Sequence, residues 1–259
     1  NIELKQTYLR KIEYLFHLIF QLMNDNFKNV LEYIAREGEM YDTYATALFM
    51  YSLLKMKKPQ NFIEFGTGLG CTSFMAAQAF KENGFGKVHT FDNGEHWKGY
   101  GKQGTYKSFI ENKIKELNIS KQIKFEFGDI YMNKLKVKKL DFIFFDFYKE
   151  PLALLDMFAS ILPKVNKYCN IFVDSAPCFW PAYSMLTMLV ETLQKGKIPE
   201  TMYELCPEKD KLKHLVSTSK FTLLNIRKRD NSAHQNGIAW IKIEPQDVLV
   251  RSLKDENHT

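Results

Sequence analysis

At 259 residues and 45% hydrophobic composition, the chain can bury one large core with a small appendage. Its formal net charge of +6 comes from lysines scattered among acids. The densest basic runs, Lys134, Lys136, Lys138 and Lys139, then Arg227–Arg229, read as solvated faces and not as a nucleic-acid surface. Cys71, Cys169, Cys178 and Cys206 lack C-x-x-C spacing, which argues against a zinc site or a disulfide framework. No stretch has the ~20 apolar residues of a membrane span, and none has a secretory-signal pattern. The expectation is a cytoplasmic, reduced setting.

Ile2–Arg36 carries apolar residues at helical spacing (Leu9, Ile12, Leu15, Phe16, Ile19, Phe20, Met23) and reads as one or two amphipathic helices. Its stripe would pack on the main domain or on a second copy, as a cap, lid or homodimer arm. Glu37–Tyr44 is a polar break, and Ala45–Lys55 a further helix stopped before Pro59.

Asn61–Ser73, NFIEFGTGLGCTS, organises the rest of the chain. Asn61–Phe65 is a buried strand, Gly66, Gly68 and Gly70 a tight turn, and Cys71–Phe80 a helix. Such a corner lets a ligand approach the backbone closely and meet the unpaired N–H groups of a helix start. The spacing is G-x-G-x-G, not the G-x-G-x-x-G of dinucleotide sites. Glu64, two residues before the first glycine, would repel a pyrophosphate and suits a cationic amino-acid end.

The strand–helix rhythm then continues. Lys87–Phe91 is a strand leading to Asp92, Tyr106–Leu117 a helix, and Ile123–Phe127 a strand before Gly128-Asp129. Leu140–Phe145 is a strand ending at Asp146, Pro151–Leu162 a helix, Asn170–Val173 a strand ending at Asp174, and Pro181–Gln194 a helix. This alternation implies a parallel sheet covered on both faces. Phe221–Arg227 and Ile238–Ile243, joined by Lys228–Gly237, read as an antiparallel hairpin.

E-F-G-T-G-L-G resembles motif I of the class I S-adenosylmethionine (SAM)-dependent methyltransferases, and the closing hairpin is how that family's sheet finishes. The resemblance covers roughly residues 40–245. It implies an α/β, Rossmann-like class I methyltransferase fold: a seven-stranded, mostly parallel sheet ending in an antiparallel hairpin, with an N-terminal helical extension. Residues 1–56 would form the extension and 57–259 the SAM-binding domain. Glu64, Gly66, Thr67, Gly68 and Gly70 would hold the methionine part of the donor. Asp92 would hold the ribose hydroxyls, and Asp129, followed by Ile130, the adenine.

FFDFYKE after the fourth strand and FVDSAP after the fifth resemble the catechol- and caffeoyl-type O-methyltransferases, whose strands end in D-x-x-K and D-N. That likeness implies Asp146 and Lys149 as catalytic residues and Asp146 with Asp174 as ligands of Mg²⁺ or another divalent cation. Ser175 stands where that family has Asn, so one ligand is missing. Without a metal, Asp146 or Lys149 would still orient or deprotonate the acceptor. The expected function is methyl transfer from SAM to a small-molecule acceptor, at a hydroxyl oxygen. The alternatives are a metal-free N-, C- or S-methyltransferase and a non-catalytic SAM-fold binding subunit. No nucleic-acid or membrane partner is expected.

Other residues carry weaker expectations. Trp97 would cover the adenine or anchor its loop, and His96 would act as a base or be solvated. Pro177–Pro181 would line the acceptor pocket or join the core. His214, in Lys197–Lys220, would sit on a lid or on the surface.

Overall fold

The structure, a computed structural model, describes residues 24–38, 43–129, 139–147, 149–227 and 237–246. The first part of the expected N-terminal helices, most of the hairpin turn and Ile130 lie outside the described residues.

Among the described residues, two helices precede the sheet, α1 (Asp25–Glu37) and α2 (Thr43–Lys57). Asn24 caps α1, its side chain accepting from the Asn26 N–H. Phe27, Val30, Tyr33, Ile34 and Glu37 form the buried stripe of α1, spaced as one helical face requires. The sheet then builds in order: β1 (Asn61–Phe65), α3 (Cys71–Asn83), β2 (Lys87–Asp92), α4 (Tyr106–Glu116), β3 (Ile123–Phe127), β4 (Leu140–Phe145), α5 (Pro151–Ile161), β5 (Val165–Asp174), α6 (Trp180–Gln194), α7 (Glu200–Leu205), α8 (Lys209–Thr218), β6 (Ser219–Arg227) and β7 (Gly237–Pro245).

The expected seven-stranded sheet is present, with strand order β3-β2-β1-β4-β5-β7-β6. β1 to β5 pair in parallel, while β7 runs antiparallel to both β5 and β6. β1 is the first strand of this sheet and lies between β2 and β4, so the chain's direction of winding reverses there. A ligand crevice forms beyond the carboxyl ends of strands at such a switch point.

Period-two alternation divides the core. Ile63, Phe65, Ile143, Phe145, Ile171 and Val173 face α5 to α8; Phe62, Phe142, Phe144 and Phe172 share their core with α1 to α4. α1 and α2 therefore spend their apolar stripes on the sheet's own helical layer. Glu64 falls on the α3 side, where every residue of Cys71–Phe80 is buried.

Two expectations change. The fifth strand begins at Val165, five residues before Asn170, because β4 supplies a partner at Leu140 before a register shift. Lys197–Lys220 is no lid over the crevice: it forms α7 and α8, whose Met202, Leu212 and Val216 are buried in the α5–α6 core.

Candidate functional site

The turn after β1 is built for close approach. Gly66, Gly68 and Gly70 all have positive φ, at 93°, 53° and 83°. A Cβ on Gly66 would lie 1.9 Å from the Asp146 carbonyl oxygen, and one on Gly70 would lie 2.4 Å from the Phe74 ring. Backbone bonds stitch the turn to both neighbouring strands. Gly66 N–H donates to Phe91 O (2.9 Å), and Asp146 N–H donates to Phe65 O (2.8 Å). Asp92 braces it from the side, accepting from Gly68 N–H at 2.9 Å and Gly94 N–H at 2.7 Å.

Beyond these strand ends opens a cavity of about 640 Å³. Its lining includes Glu64, Gly66, Thr67, Gly68, Asp92, Asp129, Asp146 and Lys149, so the structure brings most of the expected site residues together. Gly70 instead caps α3, and Asp174 is buried without lining the cavity. Glu37, Thr43, Cys71, Glu95, His96, Tyr100 and Phe147 complete much of the wall. Six carboxylates (Glu37, Glu64, Asp92, Glu95, Asp129 and Asp146) thus face Lys149 and His96.

Glu64 has a buried polar setting. The β1–β2 register sets Thr90 beside it, and the first turn of α3 supplies Ser73. Both hydroxyls donate to Glu64 Oε2, Thr90 at 2.6 Å. Burial nevertheless pushes the Glu64 carboxyl up to about 8, against those two bonds and helped by the charges of Asp146 and Asp92. Glu64 is therefore mainly protonated at neutral pH.

At the fourth strand end, Lys149 Nζ lies 3.5 Å from Asp146 Oδ1. Burial raises the Asp146 carboxyl, with the Lys149 ammonium pulling the other way. Asp174 accepts from Ser175 Oγ at 2.6 Å and is pushed up to about 7 by burial and by the Asp146 charge. Among the described residues no group of three or more His, Cys, Asp or Glu side chains is arranged to hold a metal ion. One of the two expected ligands already holds an ammonium and the other is buried and prone to protonation. The set does not fit a hard ion that takes six or more oxygens.

The loop after β2 is held from within. Trp97 Nε1 donates to Gly104 O at 2.9 Å, and its ring packs on Tyr106 and Phe109 at centroid distances of 5.5 and 5.1 Å. Trp97 is a loop anchor and is not among the lining residues, whereas His96 is. Phe179 and Trp180 are exposed and do not line the cavity, and His214 is on the surface of α8.

Sequence reasoning missed two tyrosines. Tyr106 donates its hydroxyl to Gly68 O at 2.8 Å and Tyr33 to Leu69 O at 2.6 Å. Both are far from the turn in the chain, and no local spacing signals them.

Residues 63–176 match the family model described as a methyltransferase domain. None of the curated proteins matches the chain in sequence. Among solved structures it is similar to the O-methyltransferase TomG from Streptomyces achromogenes, involved in tomaymycin synthesis and solved with SAM. That pair has 15% identity and a TM-score of 0.51, covering 83% of this chain and 89% of the other. Cofactor-bound Rv0187 from MTB aligns at 13% identity and TM-score 0.55, over 84% of this chain and 91% of its own. A Staphylococcus aureus protein described as a candidate caffeoyl-CoA O-methyltransferase aligns at 16% identity and TM-score 0.51, over 90% and 98%. At these identities the likeness carries the fold, which is the Rossmann-like class I methyltransferase fold.

Proposed function

We propose that this chain is a class I, SAM-dependent methyltransferase that methylates a small-molecule acceptor at a hydroxyl oxygen. One observation carries this reading. The glycine turn, Glu64, Asp92, Asp129 and the Asp146–Lys149 pair, from four successive strand ends, share one cavity at the sheet's switch point. Its volume, about 640 Å³, suits a nucleoside-sized donor with a small acceptor.

The residues divide by chemistry. Asp92 and Asp129 offer acceptors for the ribose hydroxyls and the adenine amino group, and Glu64 a carboxylate for the donor's ammonium. Gly66 and Gly68 give the donor close access to the backbone. Bound there, SAM supplies a methyl group on a sulfonium. Asp146, with its carboxyl raised by burial, is a stronger base than an exposed aspartate and takes the acceptor's proton. The Lys149 ammonium stabilises the oxyanion that forms. No step is routed through a metal, because the donor set does not fit one.

A nitrogen acceptor is the second reading, favoured by the acidic lining, which would attract a cationic amine. Mass spectrometry of products from a matched phenol and amine separates the two. Calorimetric titration with S-adenosylhomocysteine (SAH) tests the donor assignment. Wild type should bind and Asp92→Ala should lose at least ~30-fold in affinity, since it removes the ribose acceptor and strands the Gly68 and Gly94 N–H groups. A wild type that ignores SAH refutes the proposal.

A further inference from the structure

Gly68 and Leu69 sit at the tip of the turn, and their consecutive carbonyls are held by hydroxyls from two different helices. Tyr106 of α4 donates to Gly68 O at 2.8 Å, and Tyr33 of α1 donates to Leu69 O at 2.6 Å. Tyr33 is only 4% exposed, and its ring packs on Phe74 of α3 at a centroid distance of 5.5 Å. The Lys113 ammonium lies 5.4 Å from the ring centroid. Burial pushes this hydroxyl far above the ordinary tyrosine value, so it remains a donor throughout the working range of pH.

One helical turn further, on the same face of α1, Glu37 reaches the cavity wall. Its Oε2 lies 2.6 Å from Lys102 Nζ, in the loop after β2, and its Oε1 accepts from Arg36 Nε at 3.0 Å. Burial opposes ionisation of Glu37, but Lys102 and Arg36 together hold its carboxyl below the usual range. The loop that Lys102 belongs to also places Tyr100 and His96 in the wall. One face of α1 therefore grips both the glycine turn and the loop opposite it.

We infer that α1 belongs to the donor-binding machinery, with Tyr33 and Glu37 as positioning residues that hold the turn and the β2 loop in the shape that closes around the donor. This inference rests on the SAM-dependent reading. It makes α1 docking and donor binding linked equilibria, each strengthening the other by the same factor.

The test uses the whole chain and SAH as the probe. Calorimetry compares wild type with Tyr33→Phe, which keeps the ring, and Glu37→Gln, which keeps the shape. Each should weaken SAH binding about tenfold, the fold-change of one lost buried hydrogen bond. Tyr51→Phe is the control. It breaks a tyrosine–carboxylate bond of similar length, Tyr51 to Glu82 at 2.6 Å, away from the cavity, and should leave SAH affinity unchanged. In wild type, SAH should slow amide exchange across residues 25–37, and Tyr33→Phe should reduce that protection. Wild-type affinity in both variants, equal weakening by Tyr51→Phe, or exchange in α1 indifferent to SAH overturns the inference while leaving the methyltransferase reading intact. Failure of wild type to bind SAH overturns the reading itself, and the inference with it.

Discussion

Replacing Glu64 with Gln asks whether the donor's cationic end displaces a proton from the protein. Glu64 is 1% exposed, yet it lines the cavity. Its carboxyl is raised to about 8 by burial, then by Asp146 at the end of β4 and Asp92 at the end of β2. Tyr106 on α4 and Cys71 on α3 interact with it too, but both are raised well above neutrality and stay uncharged. At pH 7 a group of pKa near 8 carries about 0.9 proton, and an ammonium beside it favours the carboxylate. SAH binding at pH 7 should therefore release about 0.9 proton, and affinity should rise up to about tenfold per pH unit before levelling above pH 8. Calorimetry in phosphate and in Tris, whose ionisation enthalpies differ, reads the release directly. Gln keeps an oxygen for Ser73 and Thr90 but has no proton to give, so release should vanish and the pH dependence flatten. The stability of the donor-free protein follows the same group. A raised carboxyl contributes stability that is full below the unfolded value near 4.5 and is lost as pH climbs through 8. The thermal shift from SAH should accordingly grow from pH 6 to pH 8. Binding without proton release, or release that persists in Glu64→Gln, refutes this account of the site.

Gly66→Ala should destabilise by at least about 3 kcal/mol in urea denaturation, since its Cβ would lie 1.9 Å from a carbonyl oxygen at a positive φ. Gly84→Ala, with open space around it, should lose only about 1 kcal/mol. Asp174→Asn removes a buried acid raised to about 7, whose stability contribution is lost as pH rises from about 4 to 7. The variant should match wild type near pH 4 and exceed it by on the order of a few kcal/mol above pH 7. Urea midpoints across that range check it. Lys149→Met should lower kcat about 100-fold with donor KM unchanged, as expected of a group that acts on the acceptor oxyanion.

The local signals were enough for the architecture. Alternating apolar runs and helical stripes marked the five parallel strands and their crossovers, and a polar turn between two strands marked the closing hairpin. The G-x-G-x-G run marked a turn that only glycines can form, and Asp92, Asp129 and Asp146, at or just beyond the ends of β2, β3 and β4, fell into one crevice because parallel strands end on the same side. These properties repeat every two or 3.6 residues, or sit at a fixed offset from a strand, so the chain displays them without its partners. α7 escaped notice because six residues are too few to show a period, and α8 because Leu212 and Val216 alone mark its buried face. Tertiary structure alone decided the clasp: Tyr33 meets Leu69 across 36 residues and Glu37 meets Lys102 across two helices and two strands. It also decided the charge state of Glu64, which depends on how completely α3 and the neighbouring strands exclude water. It set Asp174 behind the cavity wall rather than in it. Hydrogen bonds and protonation at such distances follow from packing, and packing is a property of the whole chain at once.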